Sequence, residues 1–214
     1  MPRIIDLSHP ITANMSVYPG DPAVEVQTVS RYEDGGYFVS RIVVGSHAGT
    51  HADAPVHKIP GAKSVTDMGI AAYIGFRCYV MDISGFERMK ELSAGMVRRL
   101  FGGALKGCDS VLLKTGWSAK WGYADYYKAF PGIAEDTALY FGEAGIRVIG
   151  LETPSVNAKF DSRVHYALLS RDLAIVENLA NLHLISRDYV EFHAVPLSLH
   201  GRDGSPVRAY AIER

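Results

Sequence analysis

Residues 47–57, which read HAGTHADAPVH, constrain this chain more than any other segment, because they hold three of its eight histidines within eleven residues. Histidine is the commonest metal ligand, and a carboxylate beside two imidazoles is a usual ligand set for zinc, manganese or iron. A straight strand of this length would span about 33 Å. Donors that share one ion at about 2.0–2.2 Å must lie only a few ångströms apart. A metal site here therefore requires the chain to curl.

The composition of the segment allows that curl. Gly49 and the alanines between the ligand-type residues are small or conformationally permissive, and Pro55 stops a helix. His47 and His51 are four residues apart, as on one face of a helical turn. The alternative interpretation is a histidine-rich surface loop, or histidines that hydrogen bonds satisfy within the core. The density of histidines favours a metal site.

The whole chain predicts one mixed α/β domain over residues 1–214. Its first half has short apolar or alternating segments separated by turn signals, and its second half alternates helices with strands. Ser93 and Asp136 are placed to cap two of these helices. Predicted strands cover residues 3–7, 23–31, 37–44, 76–83, 110–114, 147–151, 174–176, 195–199 and 207–212, with a turn at 203–206; predicted helices cover 93–101, 136–143 and 164–170.

The charge distribution argues against nucleic acid as a partner. The chain has 22 basic and 23 acidic residues, mixed along its length, for a net charge of −1. Without a basic stripe, the electrostatic footprint of a nucleic-acid binder is missing. We also find no apolar run of membrane-spanning length and no secretory signal. Cys78 and Cys108 show no CxxC spacing and suit a reducing compartment, although two cysteines could still pair. We therefore expect a cytoplasmic protein with no membrane partner.

The segment HAGTHADAPVH resembles the HxGTHxDxPxH signature of the cyclase-family metal hydrolases, which include enzymes of the kynurenine formamidase and isatin hydrolase types. The resemblance extends to DLSHPITANMSVYPGDP near the start, to VIGLETPSV and to SPVRAYAI near the end, so it covers essentially the whole chain. It implies the swivelling β/β/α fold of that family, and a homo-oligomer, either a dimer or a tetramer.

The resemblance also implies roles for six residues of the chain. His47, His51 and Asp53 match the ligands of one metal, and Asp53 matches the bridge to a second. His165 and Glu177 have the twelve-residue spacing of the pair that completes the second metal, and His57 matches the proton-shuttling catalytic histidine.

The spacing of His165 and Glu177 has a structural consequence. On one continuous helix they would point about 120° apart. A helix that ends near residue 170, followed by a short strand, could aim both at one point. Taken singly, each residue is more simply a surface side chain.

Three residues are candidates for substrate binding. Tyr18 stands where kynurenine formamidases carry a tryptophan that packs on the substrate, which is a departure from the family pattern. Trp117, with Trp121 close behind it, is equally compatible with the pocket and with core packing. Ser155 follows a strand and could contact substrate, or could serve as a turn or helix-cap serine.

The expected enzyme is a metal-dependent amidohydrolase with one or two zinc or manganese ions per chain. A divalent ion lowers the pKa of a water toward about 7 and polarises a carbonyl. His57 would take a proton from that water and return it to the leaving nitrogen. The expected substrate is a small amide, either an aryl formamide such as N-formylkynurenine or a cyclic amide such as isatin. Two alternatives are a metal-dependent lyase or cyclising enzyme on the same scaffold, and a metal-binding module without turnover.

Overall fold

A large mixed β-sheet forms the centre of the computed structural model, which describes residues 1–86, 91–159 and 161–214. The strands are β1 (Arg3–Asp6), β2 (Glu25–Ser30), β3 (Val39–Val43), β4 (His51–Asp53), β5 (Ile74–Asp82), β6 (Glu91–Leu92), β7 (Ser110–Lys114), β8 (Gly132–Ile133), β9 (Val148–Leu151), β10 (Ala174–Glu177), β11 (Tyr189–His193), β12 (Gly204–Pro206) and β13 (Tyr210–Glu213). The α-helices are α1 (Tyr32–Gly35), α2 (Val65–Met68), α3 (Ala94–Phe101), α4 (Glu135–Glu143) and α5 (Ser162–Leu169).

The strand order of this sheet is β1-β13-β11-β5-β7-β9-β10-β4-β12. The middle strands β5, β7, β9 and β10 run parallel, and the strands on both sides pair antiparallel. Strands β9 and β10 are buried along their whole length, as expected for parallel strands that are covered on both faces. The short strand β4 lies between β10 and β12, so the residues that it carries are fixed from both sides.

Each face of the sheet has its own apolar core. On one face, α3, α4 and α5 pack on strands β5, β7, β9 and β10. On the other face, the segments after β1 and β10 and the short helical turns that precede β5 pack on the sheet. The first core includes Val97, Leu113, Phe141, Ile149 and Leu168, and the second includes Leu7, Tyr73, Leu112, Val148 and Phe192. The central strands are therefore packed on both faces beneath the candidate site.

Strands β2 and β3 form a separate two-stranded hairpin. Its side chains are unusually apolar for an exposed element. Val29, Tyr37 and Ile42 are 62%, 77% and 58% exposed, and Phe38 is 53% exposed. Several large exposed apolar side chains on one short element favour an interaction site over a solvated face.

The predicted α/β class and most elements are confirmed, and three local predictions are wrong. Residues 195–199 are not a strand, because the strand ends at His193 and only Pro196 makes an isolated bridge. Residues 203–206 are mostly a strand rather than a turn, since Gly204 and Ser205 pair with β4. Asp136 lies within the first turn of α4 and does not cap it, because the helix begins one residue earlier.

Candidate metal centre and active site

The chain curls between residues 46 and 57, as a common metal site requires. After β3 ends, a turn at residues 46–50 leads directly into β4. Gly49 has φ 65°, a left-handed conformation that glycine adopts at little cost. Beyond β4, the single 3₁₀ turn Pro55–His57 brings the last histidine back over the strand. Residues that would be far apart in a straight strand therefore face one another.

His47 and Asp53 form the first part of the site. Nδ1 of His47 lies 2.9 Å from Oδ1 of Asp53, and its Nε2 lies 2.7 Å from Oδ2 of Asp203. The His57 ring packs beside His47, with the ring centroids 4.1 Å apart. Ligand atoms of His47, Asp53 and His57 all lie within 4.8 Å of one another, close enough to share one ion.

His51, Asp53 and Glu177 form a second group with the same spacing. Register explains the contact, since Glu177 in β10 is directly opposite His51 in β4. Nε2 of His51 lies 3.4 Å from Oδ1 of Asp53 and 3.5 Å from Oε2 of Glu177. His165 approaches the other Glu177 oxygen, Oε1, at 3.5 Å. The helix α5 ends at Leu169 before β10 begins, so the predicted break between His165 and Glu177 is present.

A network behind His51 fixes which ring nitrogen faces the site. Nδ1 of His51 donates to the Gly49 carbonyl at 2.9 Å, and the Asn178 amide donates to the same carbonyl. The Tyr126 hydroxyl lies 2.9 Å from Oδ1 of Asn178 and orients that amide. With Nδ1 engaged, Nε2 of His51 is directed at the carboxylates. Metal-ligating histidines usually have such a partner on the second nitrogen.

The hydrogen bonding of two carboxylate oxygens shows whether the residues of this centre fit a cation. Oδ2 of Asp53 and Oε1 of Glu177 are buried and accept no hydrogen bond among the described residues, the 3.5 Å contact of Oε1 with His165 being an ion-pair distance only. Asp53 is 1% exposed and Glu177 is 4% exposed. Buried carboxylates normally have partners, because removing a charge from water is costly. A divalent cation held by these oxygens and the neighbouring imidazoles would remove that cost, so the residues fit a metal.

The charges of the centre support the same conclusion. Burial alone would lower the pKa of His47 and of His51, but nearby carboxylates outweigh it. Asp53 and Asp203 raise the pKa of His47 to about 9, and Asp53 and Glu177 raise the pKa of His51 to about 10. The imidazoles hold the pKa of Asp53 well below its ordinary value despite burial. Without a metal, protons on these rings thus balance the carboxylates, and a bound cation would take their place.

A cavity of about 320 Å³ opens onto this centre. Two of the predicted substrate residues line it, Tyr18 and Ser155, and Tyr18 packs edge-to-face on Tyr127 with ring centroids 5.7 Å apart. Trp117 does not line this cavity, because its Nε1 donates to the Tyr126 carbonyl at 2.9 Å. The full lining is Tyr18, Asp21, His47, His51, His57, Lys58, Tyr127, Pro154, Ser155, Asn157, Asp161, Ser162, His165, Glu177 and Asn178.

Trp121 also lies outside this lining. Its ring stacks on His9 at a centroid distance of 4.1 Å. Sequence reasoning missed Tyr127, Asn178 and Asp203, for which no motif gave a signal. No helix within the described part of the chain is long and apolar enough to cross a membrane.

Comparison with known proteins agrees with the fold and the site. The Cyclase family model matches residues 5–158. The kynurenine formamidase of Bacillus cereus is 33% identical over an alignment of 210 residues, and the match covers 96% of this chain and 95% of the relative. Isatin hydrolase A from Labrenzia aggregata superposes with a TM-score of 0.87 at 25% identity, covering 99% of this chain and 93% of that one. A protein described as a potential metal-dependent hydrolase with cyclase activity gives 0.82 at 26% identity, covering 100% and 99%.

Fold, site and relatives together define a hydrolase that acts on carbon–nitrogen bonds other than peptide bonds. The chain belongs to the Cyclase family, as the signature at residues 47–57 predicted.

Proposed function

We propose that this chain is a metal-dependent amidohydrolase that hydrolyses the C–N bond of a small aryl formamide or cyclic amide, with His57 as general acid and base. One observation carries the proposal. Two buried carboxylates with unsatisfied oxygens converge with several imidazoles, and a cavity of about 320 Å³ opens onto Glu177 and these imidazoles. Relatives named kynurenine formamidase and isatin hydrolase support this choice of substrates, since both names denote amide-cleaving enzymes.

The proposed ligands follow from the family signature at residues 47–57 and from the contacts of Asp53 and Glu177 with the neighbouring imidazoles. His47, His51 and Asp53 would hold one zinc or manganese ion, and Asp53, His165 and Glu177 would hold a second where two are bound. When bound, such an ion lowers the pKa of a water toward about 7 and polarises the scissile carbonyl. His and carboxylate donors suit both zinc and manganese.

His57 is partly exposed beside the ligands, a position that suits proton transfer. Its side chain is 33% exposed, whereas those of His51 and Asp53 are 3% and 1% exposed. Its Nδ1 faces Asp203, so Nε2 is the nitrogen that accepts a proton from the attacking water and returns it to the leaving nitrogen. The position next to the ligands, at the end of the Pro55–His57 turn, keeps this transfer short.

The other walls of the cavity suit a small aromatic amide. Tyr18 and Tyr127 present ring faces and edges on which an aryl group can pack. Ser155 adds a hydroxyl that can bind a polar substituent. With tyrosine at position 18, the cavity is compatible with both an open-chain formamide and a fused cyclic amide.

The experiment that tests this function is a hydrolysis assay in ¹⁸O-labelled water. We expect turnover of N-formylkynurenine or isatin, with one labelled oxygen in the acid product. A product formed without uptake of water would instead indicate the lyase or cyclising alternative. Bound metal with no turnover of any amide or ester would leave only a metal-binding module.

We further propose that the chain forms a homo-oligomer, a dimer or a tetramer, through the β2–β3 hairpin. The exposed apolar side chains of that hairpin support this, since a second copy would remove them from water. We place the enzyme in the cytoplasm, because Cys78 and Cys108 are both buried as free thiols.

The oligomer proposal gives a specific expected result. Wild-type protein should have a mass at least twice the 23.4 kDa of the chain in light-scattering measurements. Phe38→Lys should lower that mass toward the monomer, because a charge in a buried apolar contact is costly. Phe76→Lys is the matched control, since Phe76 is 63% exposed on β5, away from the hairpin. A monomeric wild type, or equal effects of both substitutions, would contradict the proposal.

A further inference from the structure

We propose that Asp203 is a positioning residue that fixes the rings of both His47 and His57 through a single carboxylate oxygen. The inference rests on the proposed function, and assigns to that site a residue which neither motif nor cluster of ligands had indicated. Three observations support it: the backbone position of Asp203, the contacts of the Asp203 side chain, and the absence of a side chain at Gly204.

The backbone holds Asp203 beside the ligand strand. Asp203 immediately precedes β12, in which Gly204 pairs with Asp53 of β4. Its carbonyl accepts a hydrogen bond from the Ala54 amide at 2.9 Å. The preceding residue is also fixed, since the Arg202 carbonyl accepts from the Val65 amide. The aspartate is therefore anchored to the same strand that carries the metal-ligand candidates.

One oxygen of Asp203 contacts two imidazoles. Oδ2 forms a 2.7 Å hydrogen bond with Nε2 of His47 and a longer, 3.5 Å ion-pair contact with Nδ1 of His57. The Ser46 hydroxyl donates to the same oxygen at 3.5 Å. Because Nε2 of His47 is engaged by Asp203, its Nδ1 is the nitrogen that faces Asp53. The carboxylate thus selects the ring nitrogen of His47 that is offered to a metal, and limits the rotation of His57.

The residue after Asp203 completes this arrangement. A Cβ atom on Gly204 would lie 2.7 Å from Cε1 of the His47 ring, a distance that real contacts do not reach. The ring therefore packs directly against the backbone at Gly204 while Asp203 holds one of its edges. An ordinary surface ion pair would need no such close packing, and would leave the histidine free to rotate.

The physical consequence is orientation of both the ligand and the base. A carboxylate on the far nitrogen of a metal-ligating histidine fixes the tautomer, and loss of such a partner costs about 10–100-fold in metal affinity or activity. For His57 the same oxygen acts as the third group that orients a general base. Asp203 touches neither substrate nor reacting atoms, so its role is positioning.

The test compares Asp203→Asn with the wild type by zinc titration of metal-free protein against a chromophoric chelator. We expect zinc affinity to fall about 10–100-fold, and kcat at saturating zinc to fall with little change in KM. Asp172→Asn is the matched control, because Asp172 has a similarly exposed side chain paired with Lys63 on the surface. Wild-type affinity and kcat in Asp203→Asn would overturn the proposal.

A second readout does not depend on any variant folding. In ¹⁵N NMR of the zinc-loaded wild type, His47 should carry its proton on Nε2. Finding the proton on Nδ1 would overturn the proposal even if the enzyme is active. Failure of the proposed function would look different, since wild-type protein would then bind no zinc or cleave no amide before any variant is compared.

Discussion

Replacing His57 by alanine is expected to lower kcat by about 10²–10⁴-fold, the usual contribution of a positioned acid–base group. Metal content should stay close to that of the wild type, because His57 is not among the proposed ligands. Asp53 and four other side chains would still hold the metal. The His57 side chain is 33% exposed, about twice as much as those of His47 and His165 and far more than those of the other ligands, which is the structural reason to separate its role from theirs. Metal analysis and steady-state kinetics on the same preparation measure both quantities.

The control for this substitution is His183→Ala. His183 is an exposed histidine on the 3₁₀ turn Leu182–Leu184, away from the metal centre, so its loss should change neither quantity. The geometry allows a second role for His57, since its ring lies within ligand distance of His47 and Asp53. Equal losses of metal and turnover in His57→Ala would show that His57 is a ligand, and would contradict its assignment as the general base.

Replacing Asp53 by asparagine should have a larger effect on metal binding than any other single change. Asp53 belongs to both ligand groups of the site, so its substitution weakens both at once. We expect metal affinity to fall by more than the roughly 100-fold upper range for loss of an outer-shell partner, and hydrolysis to fall to background. Metal content after dialysis, together with the initial rate of amide cleavage, is the measurement.

Glu213→Gln provides the matched control for Asp53→Asn. Glu213 is also a buried carboxylate, 7% exposed, but it accepts backbone hydrogen bonds from Ser186 and Arg187 far from the metal centre. Its loss should lower stability without affecting metal content. If Asp53→Asn retained stoichiometric metal and turnover, the carboxylate would not be a ligand, and the assignment of both groups would be wrong.

The curl of residues 47–57 could be predicted from the sequence, because donors that share one ion must lie close together. The structure shows this curl as a turn followed by β4. The break between His165 and Glu177 was predictable for the same reason, since a continuous helix would point them apart. Local patterns of apolar residues were sufficient to predict the central strands β7 and β9, because almost every residue of these strands is buried.

Features that depend on distant parts of the chain were not predictable from local patterns. Asp203-Gly204-Ser205-Pro206 has the composition of a turn, yet it forms β12 because β4 offers an edge about 150 residues earlier in the chain. Asp203 could be recognised only after this pairing placed it beside His47. Long-range pairing of this kind overrides local turn preference.

The sequence also could not predict which aromatic residues line the cavity. Trp117 and Tyr127 lie close together in the sequence, and both are aromatic side chains with a polar atom. Tyr127 lines the cavity, whereas the Trp117 ring is held outside it by its hydrogen bond to the Tyr126 carbonyl. Composition could not distinguish them, because the difference arises from one backbone acceptor.

Metal dependence is tested most directly by the metal content of protein purified without chelator, measured alongside amide hydrolysis before and after chelation. We expect one or two zinc or manganese ions per chain, with turnover lost on chelation and restored by adding the metal back. A protein that binds no divalent metal even after reconstitution, or whose turnover survives complete removal of metal, would contradict metal dependence. The histidines of residues 47–57 would then have to be explained by hydrogen bonding within the fold alone.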